Sequence, residues 1–525
     1  MREVKFLKGE RFDKESNLDY RVPWEKIPKK VFVNSSTKGE REVLDVENAT
    51  NLIEHFISHH KQHQVPRLKE LARYMQADNN INYRPKKNNA NKADNRISSD
   101  FANFIVTFNR GVIVGNPVVF NNEDEDLMAE IDAFNIRTNM DYHNQILCDE
   151  LFSKGRAYEL LFRSNGQEYV GIMDSEKTFV VYDDNKDPQS LFAVNYYSSE
   201  YIDETSYYAD VYLPIGIMYT LESQDGTNYT FNPDLMTYTY YDGIQVNEYR
   251  NNEARLSDFE RVLSNIDAYD LSQSELANYQ ENTNNAILVI EGNPQTGKGK
   301  PGSGNSPTDV AAAMKESGLL VMGEQMRDLN GKAAGASPKA YYLISSYDSA
   351  GAEAYKKRLV SDILRYSMVI DFTDENMGGN STGVGLQFKS WGNNNQRKTK
   401  ERLLEKGFMR RLRILGSAYA RRNLKSQEEV YELVNSTTIK FTANMPQSDE
   451  ELKNVIKDMK GVVSDYTVYQ LAERLTGVSP GDEEIRIEEQ TKARMALIDD
   501  MPEKVMPGDD GEGMDTIQQE AGSSS

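Results

Sequence analysis

The chain holds 525 residues, 61 of them Lys or Arg against 82 Asp or Glu, for a formal charge of −21 at pH 7. This length supports roughly two to four domains with sizeable cores. The acidic balance argues against a protein that coats nucleic acid with a broad basic face, though not against local basic patches.

The N-terminus, MREVKFLKGERF, lacks the apolar stretch of a signal peptide. No apolar run reaches the roughly 20 residues that span a bilayer, and Cys148 is the single cysteine, so no intramolecular disulfide can form. The expectation is a soluble, cytosolic protein. Residues 1–45 mix charge with Pro23, Trp24 and Pro28 and read as an extended arm. A helix is predicted over 46–75, with His55, His59 and His63 four residues apart and His60 beside them. Two imidazoles at that spacing can share a metal ion. No cysteine lies nearby and no carboxylate joins that face at a fitting spacing, so a solvated helix face is expected and no metal site. Residues 79–95, rich in Asn and Lys, read as a loop; 101–119 are mostly apolar, and 125–148 read as helices. FSKGRAYELLF, residues 152–162, is a helix end at Gly155 running into a strand.

Between 168 and 250, aromatic and polar residues alternate in short runs, which predicts antiparallel strands with turns at DDNKDP and DG. The turn at 183–187 superficially resembles a calcium loop, but Pro188 and Val194 stand where such a loop needs glycine and glutamate. A hairpin turn is expected instead. A helix over 251–281 carries Leu256, Phe259, Leu263, Ile266 and Tyr269 on one side, and a short strand over 286–291 follows. GNPQTGKG, residues 292–299, fits G-x-x-x-x-G-K through Lys298. Gly299 replaces the Ser or Thr that would hold magnesium, and Pro301, Gly302 and Gly304 prevent the helix that should receive the phosphates. A flexible loop is expected, with a nucleotide-driven enzyme using Lys298 as the alternative. Residues 308–340 hold a small helix, a strand-like GLLVMG and an Ala/Gly-rich turn.

A second helix over 348–370 leads into DFTDENMGGNSTGVG, too rich in Gly, Asn, Ser and Thr to hold a helix unaided. From about residue 395 to 422 the pattern changes: Leu403, Leu404, Phe408, Leu412, Leu415 and Tyr419 make one apolar stripe on a long helix. Between residues 389 and 425 twelve cations, among them Arg397, Lys398, Lys400, Arg410, Arg411 and Arg413, face only Glu401 and Glu405. Such cations neutralise phosphate or pair with acidic neighbours, and the acidic surplus points first to ion pairs between subunits. A stand-alone DNA-binding protein using this helix is a further alternative. A short strand at 438–441 precedes two helices over 448–475, the first capped by Ser448 with Glu451 three residues on. The tail, 490–525, is acidic and predicted to be disordered. The sequence presents no nucleophile–base pairing, no Cys/His metal cluster and no complete phosphate loop, so neither an enzyme nor a cofactor is expected.

Several segments, in order, resemble the portal protein family of tailed bacteriophages, in particular of long-tailed phages infecting Gram-positive hosts. They are GRAYELL at 155–161, YRNNEARLSDFERVLSNIDAYDLSQSELAN at 249–278, AILVIEGN at 286–293, DENMGGNSTGVGLQFKSWG at 374–392 and FTANMPQSDEELKNVIKDMKGVVSDYT at 441–467. Gly385 departs from the alanine expected there, which loosens that run. The resemblance implies an α+β, multidomain subunit with an α/β wing, a two-helix stem, a small α/β clip, a long tunnel helix and a helical crown. It implies a wing at 1–254, stem helices at 255–281 and 348–370, a clip at 282–347, and a tunnel loop at 371–390. The long basic helix and its return strand to the wing would occupy 391–446, and the crown 447–489. It further implies a ring of about twelve subunits of the head-to-tail kind, at one capsid vertex, through which double-stranded DNA is packaged and ejected. Asn376, Gly378, Gly379, Asn380, Ser381, Thr382 and Gly383 would face DNA, and Lys298 and Lys300 would lie in the clip that docks the packaging motor or connector. Implied partners are the large terminase subunit, scaffold and major capsid proteins and a head–tail adaptor protein, with no membrane. The implied location is the virion, with the host cytoplasm during assembly.

Overall fold

The structure is a computed structural model that describes residues 15–33, 40–86, 93–201, 204–284, 287–291, 294–295, 321–322, 339–343, 348–371, 383–444 and 449–499. The chain divides into two compact units, Met1–Asn444 and Met445–Ser525.

In the first unit the N-terminal arm is more than an extended lead-in. Tyr20–Val22 pairs in parallel with Thr178–Asp183, and Lys29–Val33 pairs antiparallel with Glu40–Leu44. The helix predicted over 46–75 forms as Thr50–His59 and Val65–Tyr74 joined by a π turn, His60–Gln64. Pro66, which has no N–H to donate back along the helix, sits just after the widened turn. Helices Phe101–Val114, Glu125–Thr138 and Met140–Lys154 follow, the last two linked by Asn139 in a left-handed conformation. The last helix ends where the sequence places its end. Gly155 has φ +83°, and a Cβ there would lie 2.1 Å from the Arg255 carbonyl oxygen.

The strands fall into a three-stranded sheet, Val246–Arg250, Arg156–Ser164 and Gln167–Met173, and a six-stranded one. The latter runs Tyr20–Val22, Thr178–Asp183, Ser190–Tyr201, Glu204–Leu213, Ile217–Ser223, Thr230–Tyr238. After its parallel edge this sheet is an antiparallel meander, as the alternation predicts. The turn at 183–187 closes a hairpin, with Asp183 Oδ1 accepting the Gln189 N–H at 2.8 Å. One apolar face, with Phe179, Val181, Phe192 and Val194, packs with Ile53 and Phe56 of the first helix. A larger core surrounds the long helix, where Leu404, Phe408, Leu412 and Leu415 meet Phe134, Phe152 and Phe259.

Three element boundaries differ from the sequence reading. The helix expected over 251–281 runs Leu263–Asn284, after a 3-10 turn at Glu260–Val262. Residues 251–259 form an elbow instead, with Arg255 at φ +51°. The start signal is the reciprocal cap S-D-F-E: Glu260 Oε2 accepts the Ser257 N–H at 2.9 Å, and Ser257 Oγ accepts the Phe259 N–H. The long helix, expected from about residue 395, spans Gly383–Arg422. Ser390 and Asn393 are buried, and Asn393 donates to the Met368 carbonyl at 3.0 Å. That tertiary anchor holds helix where local propensity opposes it. Finally, the predicted tail begins as helix, because Pro480–Asp499 is continuous.

The helix Leu263–Asn284 packs with Ser349–Tyr366, and Lys356 Nζ donates to Gln273 Oε1 at 2.9 Å. The intervening insert contains two antiparallel strand pairs, Ile287–Glu291 with Lys339–Leu343 and Pro294–Gln295 with Val321–Met322. The helix expected within 308–340 and the Ser448 cap lie outside the described residues. Beyond the long helix, Gln427–Asn435 is a helix not anticipated from the sequence, and Thr438–Lys440 pairs with Val119–Asn121. Among the described residues the second unit contains Asp449–Met459, Asp465–Thr476 and Pro480–Asp499, with Ser464 capping the middle helix and Gly477 ending it at φ +70°.

Gly155→Ala is expected to destabilise the protein by about 3 kcal/mol or more, since it adds a backbone clash to an unfavourable φ. Gly166→Ala, at φ +79° with open space around it, is expected to cost about 1 kcal/mol. Urea unfolding of the two variants checks the difference.

Candidate functional site

The elbow at 248–260 joins the three-stranded sheet to the helix pair, and the long helix crosses beside it. Four ion pairs lock this junction, each with both side chains no more than 5% exposed. Arg67 Nε and Nη2 grip Glu260 at 3.0 and 2.5 Å, while its Nη2 also donates to the Arg255 carbonyl at 3.1 Å. Arg255 Nε meets Glu248 Oε1 at 2.9 Å, and its guanidinium also pairs with Asp19 of the N-terminal arm. Lys400 Nζ sits 2.5 Å from both Asp258 oxygens, over the Phe152 ring. Asn109 and Asn251 each donate to Asp258 at 2.7 Å, so its carboxylate is shared by three elements.

The fourth pair fixes the middle of the long helix. Arg411 binds Glu159 in a two-pronged contact, Nε to Oε1 at 3.0 Å and Nη2 to Oε2 at 2.7 Å. Glu159 also accepts the Tyr249 hydroxyl at 2.7 Å and the Asn247 amide at 2.9 Å, and its Oε2 lies 3.1 Å from His143 Nε2. Burial alone would raise Glu159, but the Arg411 guanidinium and the hydrogen bonds from His143 and Arg411 hold it well below the carboxylate range. Glu248 is likewise held down to about 2, burial being outweighed by Arg255, Arg250 and Arg156. The helix passes so close to the sheet that a Cβ on Gly407 would lie 2.2 Å from the Tyr249 ring. A second lacing runs along the helix Leu263–Asn284. Asp270, Ser274 and Asn278 accept the backbone N–H groups of Ser99, Ile97 and Asn95 at 2.8, 2.9 and 2.6 Å. They tie an extended strap to one helical face.

Chemically this junction is a rigid frame. Its strongest charges face one another, and burial pushes the Cys148 thiol up to about 12, away from thiolate reactivity. The candidate cations of the long helix therefore divide. Lys400 and Arg411 are buried within the subunit and unavailable to DNA or a neighbouring subunit, which corrects the outward role expected of them. Arg397 pairs with Glu401 on its own helix, Arg410 donates to Ser190 Oγ at 3.0 Å, and Arg413 donates to Asn435 Oδ1 at 2.9 Å across the Tyr431 ring. Lys398, Arg402 and Lys406 are exposed. Lys406, Arg410 and Arg413 line an open cleft of about 750 Å³ together with Glu248, Glu428 and Asp242. Of the expected tunnel-loop residues, Asn376, Gly378, Gly379, Asn380, Ser381 and Thr382 lie outside the described residues, as do Lys298 and Lys300. Gly383 begins the long helix instead of belonging to a loop.

The sequence reading missed the acidic half of the frame. Glu159 carried a signal, a lone carboxylate within the largely apolar run AYELLF, which demands a buried cation. Glu260 was visible through the Ser257 cap. Asp258 carried none, because Lys400 lies 142 positions away, and Glu248 meets Arg255, seven positions on, only because the elbow folds back. Among the described residues one group could hold a metal: Glu15, His59 and His63 bring ligand atoms within 4.8 Å of one another.

The pattern of the family described as "Phage portal protein, SPP1 Gp6-like" matches residues 54–496. The portal protein of Bacillus phage SPP1 is 23% identical over 309 residues, covering 56% of this chain and 57% of that protein. The match therefore spans little more than half of the relative's length. Among solved structures, the chain is similar to one in the neck of an empty GTA particle computed with C6 symmetry. There the TM-score is 0.39 at 10% identity, covering 71% of this chain and 90% of that one. Against a chain from the virion of a native gene transfer agent particle the TM-score is 0.37 at 11% identity, covering 79% and 94%.

Arg411→Met removes the guanidinium that grips the buried Glu159 carboxylate and is expected to cost about 3–5 kcal/mol. Adding Glu159→Met should recover part of that loss, so a double-mutant cycle by urea unfolding is expected to be strongly non-additive. Glu248 lies at about 2 in the folded chain against 4.5 ordinarily. Its stabilisation is thus complete above about pH 4.5 and is lost as pH falls through about 2. Thermal unfolding between pH 5 and pH 2 (about the window where this contribution changes) is expected to show a steeper fall for wild type than for Glu248→Gln.

Proposed function

We propose that this chain, which belongs to the SPP1 Gp6-like family of phage portal proteins, is the subunit of a ring-shaped DNA channel at one capsid vertex. The ring serves genome packaging, head–tail joining and DNA ejection. The observation that carries this reading is the family match over residues 54–496, and the described architecture is compatible with it. Leu263–Asn284 and Ser349–Tyr366 act as the stem, the strand-bearing insert between them as the clip, and the sheets with the long helix as the wing. Asp449–Met459, Asp465–Thr476 and the start of Pro480–Asp499 act as the crown, over residues 447–489.

In this reading Asn376, Gly378, Gly379, Asn380, Ser381 and Thr382 touch passing DNA through small polar groups that contact phosphate without sequence preference. A loop lined with lysines would hold DNA electrostatically and slow its passage. The exposed cations Lys398, Arg402 and Lys406 serve contacts between neighbouring subunits, while Lys298 and Lys300 lie where the clip meets the packaging motor. The subunit itself is no enzyme; ATP hydrolysis belongs to the large terminase subunit. Its other partners are scaffold and major capsid proteins and a head–tail adaptor, first in the host cytoplasm and then in the virion.

The purified 59.7 kDa chain is expected to form a closed particle of about 0.7 MDa, roughly twelve subunits in head-to-tail contact. Native mass spectrometry and negative-stain images of the same peak check this. A stable monomer or dimer at every concentration and salt overturns it. In that event, ATP turnover abolished by Lys298→Ala, or tight and steeply salt-dependent DNA binding by the monomer, would favour the nucleotide-driven or DNA-binding alternatives.

A further inference from the structure

The helix that begins the wing presents an unusual meeting of donors. His59 ends the α-helical stretch Thr50–His59, and His63 lies in the π turn that follows it. Their rings lie 4.4 Å apart, inclined at 30°. Glu15, in a 3-10 turn of the N-terminal arm, brings its Oε2 to 3.1 Å from His63 Nδ1. One ligand atom from each of the three lies within 4.8 Å of the others. His55, the third member of the sequence pattern, is exposed and packs beside Phe56.

We propose that Glu15, His59 and His63 form a binding site for a divalent first-row transition ion such as Zn²⁺, clipping the N-terminal arm to the first helix of the wing. Two imidazoles and one carboxylate are a donor set that suits such an ion, with water completing a tetrahedral shell. Around an ion with bonds of about 2.0–2.1 Å, neighbouring ligand atoms sit roughly 3.3 Å apart. The Glu15–His63 pair already has that spacing, and His59 offers a ligand atom within 4.8 Å of both. An outer hydrogen bond is also in place: the Tyr20 hydroxyl lies 3.2 Å from His59 Nδ1 and fixes the orientation of that ring. Tyr20 is itself buried, against Phe56 and Phe179, so it is a fixed post. A π turn inside an otherwise regular helix is a feature that recurs at functional sites.

The arm has a mechanical reason to be clipped. Asn17 accepts from Arg156 Nη2 at 2.6 Å, Gln64 Nε2 donates to the Leu18 carbonyl at 2.7 Å, and Asp19 joins the Arg255 pair of the elbow. An ion held at residue 15 therefore stiffens the segment that reaches the central frame.

The site is independent of ring assembly, so its test does not depend on the portal reading. The full chain, dialysed against a chelator, is titrated with Zn²⁺ by calorimetry and with Co²⁺ by visible absorption. One ion per chain is expected, with a Co²⁺ spectrum of tetrahedral type. His63→Ala is expected to weaken binding on the order of a hundredfold and Glu15→Gln roughly tenfold. Both residues are solvent-accessible, so these variants are expected to fold, and His55→Ala should bind as wild type does. Uptake that never saturates near one ion per chain overturns the proposal. So does saturable uptake that His63→Ala and Glu15→Gln leave unchanged, or that His55→Ala abolishes.

Discussion

Four buried ion pairs at one elbow are the constraint on which the first unit depends. An isolated charge in an apolar interior is prohibitively costly, so each of Arg67, Arg255, Lys400 and Arg411 requires its carboxylate at hydrogen-bonding distance. The carboxylates come from two paired strands, Glu159 and Glu248, and from the elbow itself, Asp258 and Glu260. The cations come from the second helix, the elbow and two points on the long helix. A shift of any one element leaves a buried charge unpaired. The position of the helix pair relative to the sheets and the long helix is thereby specified as one arrangement.

This explains why so basic a helix belongs to so acidic a chain. Part of its charge is internal mortar, and two of its cations are buried altogether. Others have local partners in Glu401, Ser190 and Asn435. What remains outward is a smaller set that includes Lys398, Arg402 and Lys406.

Much of the plan was legible because it rests on local periodicity. The apolar stripe from Leu404 to Tyr419, the antiparallel meander, the helix stop at Gly155 and the strand-bearing insert between two helices follow from short-range patterns. The family resemblance was legible for the same reason, since it rests on contiguous motifs. The misplaced boundaries have a common cause. At 251–259 helical composition is overridden by the left-handed Arg255 and the Ser257 cap, and at 383–395 loop-like composition is overridden by burial of Ser390 and Asn393. Propensities of a few tenths of a kcal/mol to about 1 kcal/mol per residue yield to a buried anchor.

By itself, then, the sequence determined the periodic elements, their order and the family, all of which are written in spacing along the chain. Which cation meets which carboxylate was decided by the tertiary structure alone. Glu159 and Arg411 are 252 positions apart, and Asp258 and Lys400 are 142 apart. The same holds for Glu15 beside His63, since the arm's return to the helix is set by Tyr20–Val22 pairing with Thr178–Asp183. Electrostatic partners are chosen by distance in space and by the dielectric around them, and neither is a property of position along the chain.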